Sequence, residues 1–146
     1  MKIEDIKPAW LIAAESYIGT TEIAGEKDNA TIVHFHEFTD LKAQDDETPW
    51  CASFVNACLV KGGKKGTVKA NARSFLGWGT EIKYPPLGAI VVTYRGNPNG
   101  PAGHVGFYYG IENGLVKILG GNQKDSVCVL KFAPEKILGF RWPTGD

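Results

Sequence analysis

Cys51 is the residue of this chain whose type and position are best suited to chemistry. The segment from Thr48 to Asn56 is typical of a helix start, with Thr48 as the N-cap and Pro49 in the first helical position. Cys51 then falls in the third helical position, where unpaired backbone N–H groups and the helix dipole stabilise an anion. A thiol in such a place has a lowered pKa, especially beside an imidazolium. The pattern therefore predicts that Cys51 is a nucleophilic thiolate.

A cysteine nucleophile needs a base that takes its proton and a third group that holds the base in the correct tautomer. The chain contains three histidines. His34 and His36 fall in one predicted helix, where a spacing of two residues directs their side chains to different faces. His104 begins a predicted strand directly after a glycine-rich loop, which leaves room for a substrate backbone. We therefore predict that His104 is the general base.

The third residue depends on the register of the hairpin that follows His104. A three-residue loop from Glu112 to Gly114 places His104 opposite Asn122, whereas a two-residue turn places it opposite Gln123. Both candidates are amides whose oxygen can accept a hydrogen bond from an imidazole. We assign Asn122 as the orienting residue, and the register leaves Gln123 as the alternative.

Composition limits the size and the class of the protein. A chain of 146 residues with 43% hydrophobic residues predicts a single domain over residues 1–146. Sixteen basic and sixteen acidic residues cancel, so no clustered basic face for nucleic-acid binding is expected. The three cysteines have neither the even count of a disulfide framework nor the CxxC spacing of a zinc site, and Cys58 and Cys128 fit packing positions.

The N-terminal region contains no predicted targeting segment or membrane span. Its longest uninterrupted apolar stretch runs from Ala9 to Ala14, which is too short for a signal-peptide core or a transmembrane helix. We therefore expect a protein made in the cytoplasm without a signal peptide.

The order of the patterns predicts an α+β domain. Helical spacing of apolar residues comes first, at 8–18, 30–38, 49–60 and 70–76. Alternating and β-branched patterns follow, at 89–94, 104–109, 115–119, 127–132 and 137–142. The connections between these strands are too short for crossover helices, so we expect N-terminal helices packed on an antiparallel sheet of about five strands.

Taken together, these segments resemble the papain-like peptidoglycan hydrolases of the CHAP and NlpC types. The likeness is strongest to a phage-associated subfamily with Trp-Cys-Ala-x-Phe-Val, Gly-His-Val-Gly-Phe and Leu-Gly-Gly-Asn-Gln segments. These stand here at residues 50–55, 103–107 and 119–123. The resemblance extends over nearly the whole chain, including Ala72 to Ser74 and the closing Gly139 to Pro143.

The resemblance implies a cysteine hydrolase that cuts an amide bond in the peptide of the bacterial cell wall. It implies Cys51 as nucleophile, His104 as general base and acid, and Asn122 as the residue that orients the imidazole, with no metal and no cofactor. Trp50 and Gln123 are predicted substrate contacts because of their positions beside these residues, although a core tryptophan and a solvated glutamine are equally compatible with the sequence.

The resemblance also implies partners and a place of action. The expected partner is peptidoglycan, which a monomer would reach after release as a phage lysin or by delivery as an effector, with an immunity protein or a delivery apparatus in the second case. Two other interpretations remain open. One is a non-catalytic wall-binding or phage structural module with the same fold, and the other is a zinc amidase that uses His34 and His36.

Overall fold

The computed structural model describes residues 6–23, 29–41 and 49–144. Three α-helices precede six β-strands within these ranges. The helices are α1 (Ala9–Ser16), α2 (Ala30–Phe35) and α3 (Cys51–Lys61). The strands are β1 (Thr80–Ile82), β2 (Ile90–Tyr94), β3 (Gly103–Glu112), β4 (Leu115–Gln123), β5 (Ser126–Phe132) and β6 (Ile137–Trp142). The predicted α+β class is thus confirmed, with one strand more than the sequence suggested.

The helical segments are shorter than their apolar patterns. The predicted second helix is α-helical only to Phe35, and residues His36–Phe38 continue as a 3-10 turn. Asn29 begins that helix by accepting a hydrogen bond from the backbone N–H of Thr31, as an N-cap residue should. The predicted helix near residues 70–76 is a 3-10 segment at Ala72–Gly77.

The six strands form one antiparallel sheet in the order β1-β6-β2-β3-β4-β5. Strand β3 therefore lies in the middle of the sheet, between β2 and β4. Helix α3 packs against β3 and β4, and α1 packs against α3. This arrangement brings the beginning of α3 to the same part of the molecule as the beginning of β3.

The sheet buries apolar residues on both faces. The larger cluster lies between the sheet and the helices and includes Phe54 of α3 and Phe107 of β3. A smaller cluster on the other face is built on Val91, Val116 and Ile118. Within the described residues, no helix combines the length and the apolar character needed to cross a membrane.

Candidate active site

Cys51 is the first residue of α3, not the third as the sequence suggested. The flanking position is Trp50, whose side chain makes no capping hydrogen bond, and Pro49 precedes it outside the helix. Thr48, the predicted N-cap, lies outside the described residues. The prediction was therefore wrong about the exact helix start. It still placed Cys51 in the first turn, where the backbone N–H groups have no partner within the helix.

The Cys51 thiol is buried and yet has a lowered pKa. Burial raises its pKa, but the neighbouring imidazole of His104 lowers it most strongly, and the backbone N–H of Val105 and the charge of Arg95 lower it further. Only 6% of Cys51 is exposed. Cys58, two turns along the same helix, has a raised pKa, because burial there outweighs the lowering effect of the Lys61 charge. The surroundings of Cys51 thus favour a thiolate.

The imidazole of His104 is held by Gln123 on one side. Nε2 of His104 lies 2.7 Å from Oε1 of Gln123, and both residues are buried. The same amide donates from its own Nε2 to the carbonyl oxygens of Ile118 at 3.2 Å and Cys128 at 2.7 Å. A flipped amide would place an oxygen against both carbonyls, so Oε1 must face His104 and must accept a hydrogen bond from it.

These hydrogen bonds determine the tautomer of His104. Because Nε2 carries the hydrogen donated to Gln123, Nδ1 of a neutral ring has a free lone pair. Nδ1 is buried and has no hydrogen-bond partner of standard geometry among the described residues. It is therefore the ring atom left to take the proton of Cys51. Phe132 supports the ring from one face, with ring centroids 5.7 Å apart and an interplanar angle of 15°.

Two irregularities in the sheet decide which amide meets His104. The hairpin closes with Glu112 opposite Leu115, which is the two-residue turn. An extra residue in β3, between Tyr108 and Ile111, then shifts the pairing by one. Beyond this bulge, Phe107 lies opposite Leu119. Continued regularly, that register would place Asn122 opposite His104, as predicted.

A second extra residue, in β4, prevents that outcome. The pairing of β4 with β5 shifts between Gly120 and Gln123, and Asn122 has a positive φ of 57°. A bulge redirects the side chains that follow it. Gln123, rather than Asn122, consequently occupies the position beside the imidazole.

Two glycines in β4 make this arrangement possible. A Cβ on Gly120 would lie 2.7 Å from Oε1 of Gln123 and 3.2 Å from Nε2 of His104, inside their hydrogen bond. A Cβ on Gly121 would lie 2.6 Å from the Trp50 ring. Close packing therefore requires both glycines, Gly120 beside the imidazole and Gly121 beside Trp50, and they are more than turn residues.

The predicted substrate contacts are corrected by burial. Trp50 is completely buried, stacks against Phe35 and donates from Nε1 to a carboxylate oxygen of Glu22 at 2.7 Å. It is therefore a core residue that a substrate cannot reach. Gln123 is 3% exposed and is fully engaged with His104 and two carbonyls, so its position supports the imidazole instead of the substrate. Asn122 is partly exposed and lines a cavity next to His104.

The two remaining histidines, His34 and His36, have other partners than Cys51 and Gln123. His34 is half-exposed and contacts Glu37, whereas His36 is buried and shares a hydrogen bond of 2.8 Å with the Ser53 hydroxyl. Within residues 6–23, 29–41 and 49–144, no group of three or more His, Cys, Asp and Glu side chains could hold a metal ion. The zinc interpretation gains no support from the described part of the chain.

A cavity of about 420 Å³ opens beside the imidazole. We call it the basic cleft, because Arg95, Lys124 and Lys136 line it together with His104 and Asn122, and no carboxylate of the described residues does. Sequence reasoning missed these three cations, since they come from separate connections between strands. It also missed the amide of Val105, which no sequence pattern could have indicated.

The comparison with known families agrees with this geometry. The family model described as CHAP domain matches residues 43–122, which includes Cys51, His104 and Asn122 and ends one residue before Gln123. No curated protein sequence matches the chain significantly. CHAP domains are generally cysteine peptidases or amidases that act on peptidoglycan. The match covers more than half of the 146 residues, and the chain therefore belongs to the CHAP domain family.

Proposed function

We propose that the protein is a cysteine-dependent hydrolase of an amide bond in the peptide of peptidoglycan. The observation that carries this proposal is the lowered pKa of the Cys51 thiol next to an imidazole whose tautomer is fixed. Membership of the CHAP family supports the substrate class. The bond is one within the stem peptide or its cross-link for an endopeptidase, or the bond from muramic acid to L-alanine for an amidase.

In the proposed reaction, Nδ1 of His104 takes the proton of Cys51, and the thiolate attacks the carbonyl carbon of the scissile amide. The oxygen of the tetrahedral intermediate accepts a hydrogen bond from the backbone N–H of Cys51, at the start of α3. One such donor is worth about 10² to 10³ in rate. The His104 imidazolium then protonates the leaving amine, which leaves a thioester on Cys51.

Hydrolysis of the thioester completes the proposed cycle. His104 removes a proton from a water molecule, which attacks the thioester carbonyl, and the proton returns to the sulfur as it leaves. The product is a free carboxylic acid, and the enzyme is regenerated. Throughout the cycle Gln123 accepts the hydrogen bond from Nε2 and keeps Nδ1 directed at the sulfur. In this proposal Gln123 takes the orienting position first assigned to Asn122, and Asn122 belongs to the wall of the cleft.

The proposal is tested with purified cell walls and the Cys51→Ala variant. Wild type should release new amino groups and clear the wall suspension, and Cys51→Ala should do neither while keeping its melting temperature. Cys58→Ala is the matched control, because Cys58 is a buried cysteine of the same helix away from His104, and it should keep the activity. Activity in Cys51→Ala would disprove the proposal.

The same assay separates the alternative function. A non-catalytic wall-binding or phage structural module would sediment with the wall without releasing amino groups, in wild type as in Cys51→Ala. Mass spectrometry of the released fragments then identifies the bond, because an amidase leaves a free L-alanine amine and an endopeptidase leaves a shortened peptide.

The biological setting that we propose is lysis by a phage or delivery into a competing cell. Its support is the resemblance of residues 50–55, 103–107 and 119–123 to a phage-associated subfamily. In either setting the protein would act on the wall after release or delivery, as a monomer. Expression inside a bacterium, with and without a route to the periplasm, tests this, because lysis should require the route.

A further inference from the structure

We propose that the basic cleft binds a free carboxylate of the substrate peptide, close to the amide bond that is cut. This inference rests on the proposed function and deepens it, because it names a chemical feature that the substrate must carry. The cleft lies against His104, and the part of its wall that the structure describes combines three cationic side chains with none that is anionic.

The cations of the cleft are not paired with carboxylates of the described residues. Neither Arg95, Lys124 nor Lys136 forms an ion pair with a carboxylate among the described residues, whose ion pairs lie elsewhere. The chain as a whole has equal numbers of basic and acidic residues, so a cavity with three cations is a local concentration of positive charge. Such a cavity attracts an anion and orients it before the chemical step.

Two of the cations are held in place by their surroundings. The Lys136 ammonium lies 4.6 Å from the centroid of the Tyr94 ring, and Tyr94 also lines the cleft. Lys124 sits in the tight turn between β4 and β5, where Lys124 and Asp125 both have positive φ angles, 51° and 60°. Gln123, the residue before this turn, is tied to His104. The turn therefore positions Lys124 relative to the imidazole.

The third cation places the anion near the reacting bond. Arg95 is close enough to the Cys51 sulfur for its charge to lower the thiol pKa. His104 lines the same cleft, so an anion bound between Arg95 and the two lysines would lie beside the imidazole that takes part in cleavage, on the peptide segment that carries the scissile amide. A carboxylate of the peptide meets this requirement, whereas a phosphate of a wall polymer lies on a separate chain.

The test uses one wall preparation in two chemical forms. Sacculi are stripped of phosphate polymers with hydrofluoric acid, and half are converted with a carbodiimide and ammonium chloride so that their free carboxylates become carboxamides. Wild type should release amino groups from the carboxylate form about tenfold faster at low substrate concentration, since two exposed ion pairs contribute at most a few-fold each. The preference should shrink as salt is added.

The decisive variant is Lys124→Gln combined with Lys136→Gln. It should lose most of the preference through a higher KM on the carboxylate form, with little change on the carboxamide form. Lys83→Gln is the matched control and should keep the full preference, because Lys83 also lies over a tyrosine ring, 5.7 Å from the Tyr84 centroid, but outside the cleft.

The possible failures are distinguishable. If wild type releases amino groups from neither form, the proposed function itself is wrong, and the subsite falls with it. If wild type digests both forms equally, or if the double variant keeps the wild-type preference, the carboxylate subsite is wrong and the hydrolase remains. A defect of the double variant seen only on walls that retain phosphate polymers would assign the cleft to phosphate and also overturn the inference.

Discussion

Oε1 of Gln123 lies 2.7 Å from Nε2 of His104, so the acceptor that faces the imidazole is an uncharged amide. A carboxylate in the same place would stabilise an imidazolium by its charge, but an amide cannot. At the sulfur, burial raises the pKa of Cys51, but His104 lowers it most strongly, and the backbone N–H of Val105 and the charge of Arg95 lower it further. The influences that favour the thiolate therefore come from His104, Val105 and Arg95, and Gln123 contributes no charge.

The first prediction concerns Gln123. Gln123→Ala leaves Nε2 of His104 buried without an acceptor, and the unmet hydrogen bond costs about 1 to 3 kcal/mol. We expect kcat to fall roughly 10- to 100-fold with little change in KM, because the residue positions the base and does not touch the substrate. Steady-state kinetics on purified wall measure both constants.

Ser126→Ala is the control for Gln123→Ala. The Ser126 hydroxyl donates to the backbone carbonyl of Gln123 at 3.0 Å, so this variant disturbs the same turn without reaching the imidazole. It should keep kcat. An unchanged kcat in Gln123→Ala would show that His104 is oriented by something else.

The second prediction concerns the pH dependence of the thiol. Because the Cys51 pKa is lowered in the folded protein, the thiolate persists at pH values where an ordinary thiol is protonated. Alkylation of Cys51 by iodoacetamide should therefore continue below the usual thiol range, and it should fall only as the pH drops through the lowered pKa. Peptide mass spectrometry separates Cys51 from the other cysteines.

Variants of His104 and Arg95 should shift the pH profile of Cys51 alkylation in a defined direction. His104→Ala removes the largest influence that lowers the Cys51 pKa and leaves the effect of burial, so the alkylation profile should move to higher pH. Arg95→Gln should move it less in the same direction, because the charge of Arg95 is the smallest of the lowering influences. Superimposable profiles for wild type and His104→Ala would contradict the interaction between Cys51 and His104.

The places of Cys51 and His104 in the fold could be predicted from the sequence because the signals of their elements are local. A proline and a run of helix-forming residues mark the beginning of α3 around Cys51, and a glycine-rich loop before alternating residues marks the beginning of β3 at His104. Helices before strands with short connections also predicted the α+β class. Each of these features is determined by residues that are close together in the sequence.

The sequence left Asn122 and Gln123 as alternatives for the residue that contacts His104, because the choice depends on two bulges. The extra residue in β3 and the extra residue in β4 each shift the pairing by one, and neither has an unambiguous local signal. A shift of one residue exchanges the faces of a strand, which is the difference between Asn122 and Gln123. The burial of Trp50 could not be predicted from its neighbours in the sequence either, since it depends on Gly121 and Phe35 from distant parts of the chain.

The third prediction tests the close packing at Gly120. Gly120→Ala introduces a Cβ that must separate Gln123 from His104, because it would lie 2.7 Å from Oε1 of Gln123. Overpacking of this kind costs about 1 to 3 kcal/mol, and activity should fall at least roughly tenfold because the hydrogen bond is broken. Gly77→Ala is the control, since its Cβ would meet nothing within 4 Å, and it should keep both stability and activity. Full activity in Gly120→Ala would mean that the hydrogen bond is dispensable.

The fourth prediction concerns Arg73, which holds the loop between β2 and β3. Its guanidinium donates to the carbonyls of Ala102 at 2.8 and 2.6 Å, of Pro98 at 2.9 Å and of Asn97 at 2.9 Å. A lysine cannot reach three separate carbonyls from one ammonium group. Arg73→Lys should therefore loosen the loop that connects Arg95 to His104, with a loss of about 1 to 2 kcal/mol in unfolding free energy.

Arg141→Lys is the control that separates a general loss of stability from a specific effect of Arg73 on the active-site loop. Arg141 also donates to backbone carbonyls, those of Leu76 and Phe140, but it lies in β6 and lines no part of the basic cleft. Both variants should lower the melting temperature, because both lose fork-shaped hydrogen bonding. Only Arg73→Lys should also speed proteolytic cleavage within residues 95–103 and reduce hydrolysis. Equal hydrolysis by the two variants would show that the hydrogen bonds from Arg73 to the loop are not needed for activity, because β3 alone would then hold His104 in position.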